Sequence, residues 1–207
     1  MIAILDYGIG NVGAIRNMFA KIGAQAKVTA SPADLRAATK LVLPGIGAFD
    51  TGMRHLQASG LIPVLNQLVL EEGKTILGIC LGMQLLARRS AEGAQEGLGW
   101  IKADCVRFDS TGPERLKVPH MRWNSVRAMP CSTLLDVGGE APWFYFVHSY
   151  HVVCDNPTDV AGVTVYGNEF TSAVQCGHIY GVQFHPEKSL RYGKRLLEKF
   201  VELTGNA

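Results

Sequence analysis

Two kinds of apolar pattern alternate along the first 89 residues, and that alternation restricts the fold more than any other feature of the chain. Residues 1–6, residues 25–29, LVLP at 41–44 and TILGI at 75–79 are short apolar runs of strand length. Over 11–22, by contrast, Val12, Ile15, Met18, Phe19 and Ile22 recur at helical spacing, and Gly23 suits a left-handed stop. Ser31 is placed to cap a short helix, with Pro32 at its first position and Asp34 as the acid three residues on. Helices are also expected over 49–58, over 61–71, and from Cys80 to about Arg89. Strand and helix in strict alternation predict a mostly parallel sheet with helices on both faces.

The second half reads differently. Segments 103–108, 115–118, 143–153, 160–166, 171–176 and 179–184 have strand character and are joined by turns such as CDNPTD and YGNE. A helix from about Ser189 to Leu203 closes the pattern. No repeat, low-complexity tract or linker interrupts it, so residues 1–207 are expected to form one α/β domain whose sheet gains an antiparallel extension.

Composition narrows the partners. A net charge of +2 gives no basis for binding nucleic acid or an anionic membrane surface. No apolar run approaches the roughly 18 residues of a membrane span, and MIAILDYGIGN lacks the basic start and long apolar stretch of a signal peptide. The five cysteines are odd in number, widely spaced and free of any C-x-x-C. That pattern predicts neither a disulfide framework nor a zinc site, and a reducing cytoplasm is the expected setting. No metal or cofactor is implied.

Within this frame, LGICLGMQLL at 77–86 is the stretch that carries chemistry. An apolar strand ends in Gly78-Ile79-Cys80-Leu81-Gly82 and a helix begins at once. A sharp strand-to-helix turn strains the residue at its tip, and small neighbours relieve the crowding. The tip residue is lifted clear of the sheet and sits at a helix N-terminus, where partial positive charge favours a thiolate. The Leu81 amide then points to where an oxyanion would form. A lone cysteine is more often a small buried hydrophobe, which is the reading for Cys105, Cys131, Cys154 and Cys176.

A thiolate nucleophile needs a base, and the base an orienting group. YGVQFHPEKS offers both. In an extended chain residues two apart share a face, so His185 and Glu187 project together, and Pro186 keeps His185 out of helical geometry. Glu187 would accept the Nδ1 proton and leave Nε2 for the thiol. The alternative is a surface turn with Glu187 as a first-turn helix acid. LVLPGIGAFD adds a loop at a third strand end, where Gly45 and Gly47 can present backbone amides to a ligand. Three such features at strand ends fit the rule that open α/β sheets bind ligands at the carboxyl edge.

On G-I-C-L-G-M-Q and G-V-Q-F-H-P-E, over nearly the whole chain, the sequence resembles the class I (triad) glutamine amidotransferases. DYGIGN, VPHMRWN at 118–124 and YFVHSYH at 145–151 are further similar to the glutaminase subunits of imidazole glycerol phosphate synthases. The resemblance implies a three-layer α/β/α, flavodoxin-like fold and hydrolysis of glutamine to glutamate and ammonia. Cys80 would attack the side-chain amide, His185 would shuttle the proton and Glu187 would orient it. The Leu81 amide and the loop of Gly45, Ile46 and Gly47 would hold the oxyanion. Gln84 and Glu92 would hold glutamine's α-carboxylate and α-amino ends, with His148, Ser149 and Tyr150 lining the pocket.

The resemblance also implies a partner, because ammonia stays nucleophilic only while shielded from bulk water. That partner is a (β/α)8-barrel cyclase of histidine biosynthesis, forming a heterodimer; the alternative is an ATP-dependent amidating synthase acting on nucleotide-linked sugars. Asn11, Met121, Arg122, Trp123, Asn124 and Lys188 would lie near the interface, although core packing is the ordinary alternative for Trp123. Arg122 departs from the glycine usual in P-H-M-G-W-N, and a positive φ there would strain it. Two rivals remain: a cysteine hydrolase on a related fold, against which the HPE ending and the PHMRWN loop argue, and an interaction subunit that has lost its chemistry, against which the intact Cys80, His185 and Glu187 argue.

Overall fold

A computed structural model describes residues 1–111, 116–135 and 141–203. The first half follows the predicted alternation: β1 (Ile2–Leu5), α1 (Val12–Lys21), β2 (Ala26–Thr29), α2 (Pro32–Ala37), β3 (Lys40–Gly45), α3 (Phe49–Ala58), α4 (Ile62–Asn66), β4 (Thr75–Cys80) and α5 (Leu81–Leu85). Ser31 caps α2 as its sequence predicts, accepting from the Asp34 amide at 3.4 Å with Pro32 in the first turn. Gly23 takes a φ of 75° after α1. Beyond α4 the helix widens into a π-turn over Gln67–Glu71.

Next come β5 (Arg89–Ser90), β6 (Ala103–Arg107), β7 (His120–Ser125), β8 (Arg127–Ala128), β9 (Trp143–His148), β10 (Tyr150–Cys154), β11 (Val160–Tyr166), β12 (Asn168–Cys176), β13 (Ile179–Val182) and α6 (Leu190–Glu202). The main sheet runs β2-β1-β3-β4-β13-β12-β10-β6-β5, with β11 and β8 branching from β12. From β2 to β13 every pairing is parallel. This is the 2-1-3-4-5 order of flavodoxin-like folds, with β13 as the fifth strand. The pairings of β12 with β13, β10 with β12 and β6 with β10 are antiparallel and form the predicted extension.

Period-two alternation splits each central strand between two cores. Ala3, Leu5, Leu41, Leu43 and Ile76 pack with Leu35, Phe49, Met53, Leu56 and Leu65 from α2, α3 and α4. Ile2, Ile4, Val42, Leu77 and Ile79 pack on the other face with Ile15 and Phe19 of α1 and Leu196, Leu197 and Phe200 of α6. Full burial of each such side chain contributes roughly 1.5–3 kcal/mol, so both helical layers are anchored on the sheet.

Four expectations are corrected. Of the strand expected over 115–118, residue 115 lies outside the described residues and 116–118 are irregular. Proline has no N–H for a ladder, and pairing begins after Pro119, in β7. The helix after Cys80 does not reach Arg89. It gives way because Arg88 N donates to Ala103 O and Arg89–Ser90 pairs with Asp104–Cys105, a tertiary pairing that outweighs local helix preference. The run 143–153 is two strands, since the chain changes partners at Ser149: β9 pairs β7 in a separate ribbon, while β10 joins the main sheet. Finally β13 ends at Val182, short of 184, because the Gln183 amide leaves the parallel ladder for Ser172 O.

Candidate active site

Parallel register brings the three chemical motifs to one edge. Gly45 at the end of β3 pairs with Cys80 at the end of β4, and Ile79 of β4 pairs with Val182 of β13. All three chains therefore leave the sheet side by side: the Gly45-Ile46-Gly47 loop, the Cys80 turn, and the Gln183–Glu187 segment.

The Cys80 turn has the strain its spelling predicts. Cys80 has φ 55° and ψ −111°, one of two non-glycine residues with positive φ among the described residues. Such a conformation costs about 1–3 kcal/mol and persists only where the surroundings enforce it. They do so through close backbone approach. A Cβ on Gly78 would meet Gly82 O at 2.7 Å, and one on Gly82 would meet Leu43 O at 1.9 Å. The helix behind the turn is a single short one, Leu81–Leu85, headed by the Leu81 amide. First-turn amides have no partner within their own helix.

The His185 backbone is held from three sides. Its N–H donates to Tyr145 O at 2.9 Å, its carbonyl accepts from Ser189 Oγ at 2.6 Å, and Ser189 Oγ accepts in turn from Tyr145 N at 3.0 Å. Helix α6 packs so closely that a Cβ on Gly193 would lie 1.8 Å from Pro186 O. The side chain pairs with Glu187, Nδ1 to Oε1 at 2.8 Å, and both side chains are almost wholly buried. Among the described residues, His185 Nε2 has no hydrogen-bond partner of standard geometry. Burial works against a charged imidazole, but the Cys80 sulfur and the Glu187 carboxylate outweigh it and push His185 up to about 10. Thiol, imidazole and carboxylate thus form one electrostatic unit. Cys80 is 7% exposed, enough to be reached from the adjoining cavity.

That cavity, about 430 Å³, lies within the range of small-molecule sites. Ile46, Gly47, Leu81, Gln84, Glu92, His148, Ser149, Tyr150 and Lys188 line it together with Cys80 and His185. Ile46 is 48% exposed and Gly47 has φ 90°, so the loop end is open to solvent. Gly45 is buried, and its Cβ would meet Gly82 N at 2.7 Å. It supports the loop from behind.

Two assignments change in detail. Gln84 Nε2 donates to Tyr150 O at 3.0 Å and to Gln183 Oε1 at 2.9 Å. Both amide protons are engaged, which leaves Gln84 a carbonyl acceptor, suited to an ammonium group rather than a carboxylate. Glu92 is more than a solvated acid: its Oε2 accepts from the Phe49 amide at 2.8 Å and caps α3, whose own cap position is Ala48. Asp50 reciprocates through the Ala94 and Gln95 amides at 3.1 and 3.0 Å. The helix behind the Gly45–Gly47 loop is thereby tied to the 92–95 turn.

Of the residues expected at an interface, Lys188 lines the cavity and Met121 pairs with Val147, which lines it too. Met121 and Trp123 are 62% and 38% exposed, which sets aside core packing for Trp123. Lys188 Nζ sits 5.6 Å from the centre of the Tyr145 ring. Asn11 is exposed at the start of α1 and its side chain caps nothing. Arg122 is exposed in β7 opposite Phe146 and is not among the residues with positive φ, so no glycine is needed there. Asn124 is half-buried and turns its amide inward, to His120 Nε2 at 3.3 Å and Val165 O at 2.9 Å.

Sequence reasoning assigned nothing to three residues that the structure brings to the site. Gln183 Nε2 lies 3.8 Å from Cys80 Sγ. Tyr7 donates to Pro44 O at 2.6 Å, directly before the loop, and its hydroxyl pKa is raised by burial and by Cys80. His120 Nδ1 lies 3.0 Å from His148 Nε2. All three sat inside motifs already singled out, GVQFHPE, DYGIGN and VPHMRWN. The third needed the β7–β9 pairing.

A family model described as glutamine amidotransferase class-I matches residues 3–203. The chain belongs to the class I glutamine amidotransferases. It is similar to "imidazole glycerol phosphate synthase subunit HisH 2" of Methanococcus maripaludis, 51% identical over 202 residues that cover 98% of this chain and 99% of the relative. It is also similar to the subunit of that name from Pseudomonas aeruginosa, 47% identical over 98% of this chain and all of the relative. "HisH" of Sulfurimonas denitrificans is 48% identical over 98% of each. A solved glutamine amidotransferase superposes with a TM-score of 0.74 at 19% identity, over 97% of both chains, and supports the fold alone. As an amidotransferase of this class, the chain has the mostly parallel sheet flanked by helices that its solved relatives share.

Proposed function

We propose that this chain is the glutaminase subunit of an imidazole glycerol phosphate synthase, one domain over residues 1–207, working in the cytoplasm on glutamine and passing ammonia to a (β/α)8-barrel cyclase. The observation that carries the chemical half is the buried unit of Cys80, His185 and Glu187 on one sheet edge, open to a cavity of about 430 Å³. The synthase half is supported by full-length relatives at 47–51% identity that bear that name.

In this reading the Cys80 thiolate attacks the side-chain amide carbon of glutamine. The Leu81 amide and an amide of the Gly45–Gly47 loop stabilise the oxyanion. The imidazolium of His185 gives its Nε2 proton to the departing ammonia as the C–N bond breaks, leaving a γ-glutamyl thioester. His185, now neutral, takes a proton from water, which attacks the thioester and releases glutamate. Glu187 holds Nδ1 throughout. Gln84 Oε1 receives the α-ammonium, and Lys188 at the cavity rim offers the charge for the α-carboxylate. The exposed Met121–Trp123 face beside the cavity meets the partner.

The test is reconstitution with the cyclase subunit of the same organism. Glutamate release should be slow from the isolated chain and rise when the cyclase and its nucleotide ligand are added, because the glycine-flanked Ile46 loop then settles in its competent state. Capture of an ATP-dependent synthase in place of the cyclase would overturn the pathway and leave the glutaminase chemistry standing. Full turnover without any partner would contradict the coupling.

A further inference from the structure

Polar contacts run from half-buried Asn124 on the outward-facing strand β7 to the nucleophile, through buried side chains and one backbone carbonyl. Asn124 Nδ2 lies 3.3 Å from His120 Nε2, His120 Nδ1 lies 3.0 Å from His148 Nε2, and His148 Nδ1 lies 2.8 Å from Tyr150 O. The same carbonyl accepts from Gln84 Nε2 at 3.0 Å; Gln84 also donates to Gln183 Oε1 at 2.9 Å, and Gln183 Nε2 reaches Cys80 Sγ at 3.8 Å. His120, His148, Gln84 and Gln183 are all buried.

One proton arrangement satisfies every link. A carbonyl only accepts, so His148 carries its proton on Nδ1. In a neutral ring Nε2 then accepts, and it accepts from His120 Nδ1–H. His120 Nε2 accepts in turn from Asn124, an amide nitrogen that only donates. Burial keeps both rings neutral, lowering His120 to about 4 and His148 to about 3. The rings are also held in place: His120 lies 4.2 Å from the Tyr166 ring and 4.9 Å from that of Phe146, both within about 33° of parallel. Meanwhile its neighbours Met121 and Trp123 face solvent. Stacked rings and satisfied ring nitrogens make this stretch rigid, so it couples the position of β7 to the residues behind the thiol.

We propose that His120 and His148 are positioning residues for glutamine hydrolysis, carrying the seat of Asn124 on β7 through the Tyr150 carbonyl, Gln84 and Gln183 to the sulfur of Cys80. This rests on the reading of Cys80 as the nucleophile. Pressure on the Met121–Trp123 face is felt at the thiol through these links, in addition to any movement of the Gly45–Gly47 loop.

Two variants test it in the assembled complex with synthase ligand present. His120→Phe keeps the ring between Tyr166 and Phe146 and removes both nitrogens. Asn124→Leu removes the donor at the half-buried end, where folding is least at stake. Each should lower kcat for glutamine hydrolysis about tenfold or more, the scale of a small misplacement of a reacting group. In ¹⁵N-histidine spectra the wild-type His148 should be a neutral Nδ1–H tautomer. Asn124→Leu should shift the His148 nitrogens although Asn124 does not touch that ring, which a local packing defect would not do. A kcat within twofold of wild type in both variants, or a wild-type His148 protonated on Nε2, overturns the relay. Cys80→Ser in the same assay separates the two layers: if it keeps its activity the nucleophile reading fails, and if it is dead while both relay variants are unaffected, the relay alone fails.

Discussion

Gly45 and Cys80 are register partners on adjacent parallel strands, so the expected oxyanion loop and nucleophile leave the sheet together. A Cβ on Gly45 would lie 2.7 Å from Gly82 N and 2.8 Å from Leu81 Cβ. Gly45→Ala should therefore push the loop away from the thiol while leaving both cores intact. Glutaminase kcat should fall about 10²–10³-fold, the effect of losing an oxyanion donor. A folded Gly45→Ala protein with normal turnover would separate the loop from the chemistry.

His185 and Glu187 are joined at 2.8 Å and both side chains are buried. Glu187→Gln keeps the shape and removes the charge that helps raise the imidazole to about 10. Its expected result is a kcat loss of about 10²-fold or more, as for other orienting carboxylates. In ¹⁵N-histidine titrations the His185 midpoint should move down, towards the ordinary value of roughly 6.5. An unchanged midpoint would show that the carboxylate is not what holds the proton.

Glu92 links stability to binding. Glu92→Ala strips the cap from the Phe49 amide, which should lower unfolding stability by about 1 kcal/mol, as lost caps do. Because Glu92 also lines the cavity, the KM for glutamine should rise. Calorimetry and steady-state kinetics on one preparation read both, and a change in neither would leave Glu92 a solvated acid.

Stability should peak near neutral pH. His120, His148 and His151 have pKa values lowered by burial. The unfolded chain binds protons at these residues below roughly 6.5 while the folded one does not, so stability falls as pH drops from 6.5 towards 4. His185 has the opposite sign. Its raised value gives a contribution fully present below 6.5 that is lost as pH rises towards 10. Urea midpoints at pH 5, 7 and 9 check both limbs, and a flat profile from 5 to 7 would contradict neutral burial of the three histidines.

Much of this was legible in the sequence because it is local. The β1-to-β4 alternation, the Ser31 cap and the strained Cys80 turn depend on residues a few positions apart, and spacing reveals them. The His185–Glu187 pair was legible for the same reason. What was hidden depends on distant pairings. The short α5 is decided by Arg88 and Ala103, and the β7–β9 ribbon by strands whose partners lie 18 to 28 positions apart. Gln84 shows the limit within a motif: its place in the cavity was readable, but the direction of its amide was not, because Tyr150 and Gln183 set it. Arg122 erred the other way. A family glycine suggested backbone strain, yet the strand there is extended and takes any residue.

The most direct test of the whole account is glutamate release by Cys80→Ser in the complex assembled with its synthase partner and ligand. Removing the thiolate while His185 and Glu187 stay paired should reduce turnover by about 10³-fold or more. Glutamate and ammonia formed at the wild-type rate would mean that Cys80 is not the nucleophile and that the sheet-edge unit serves some other purpose.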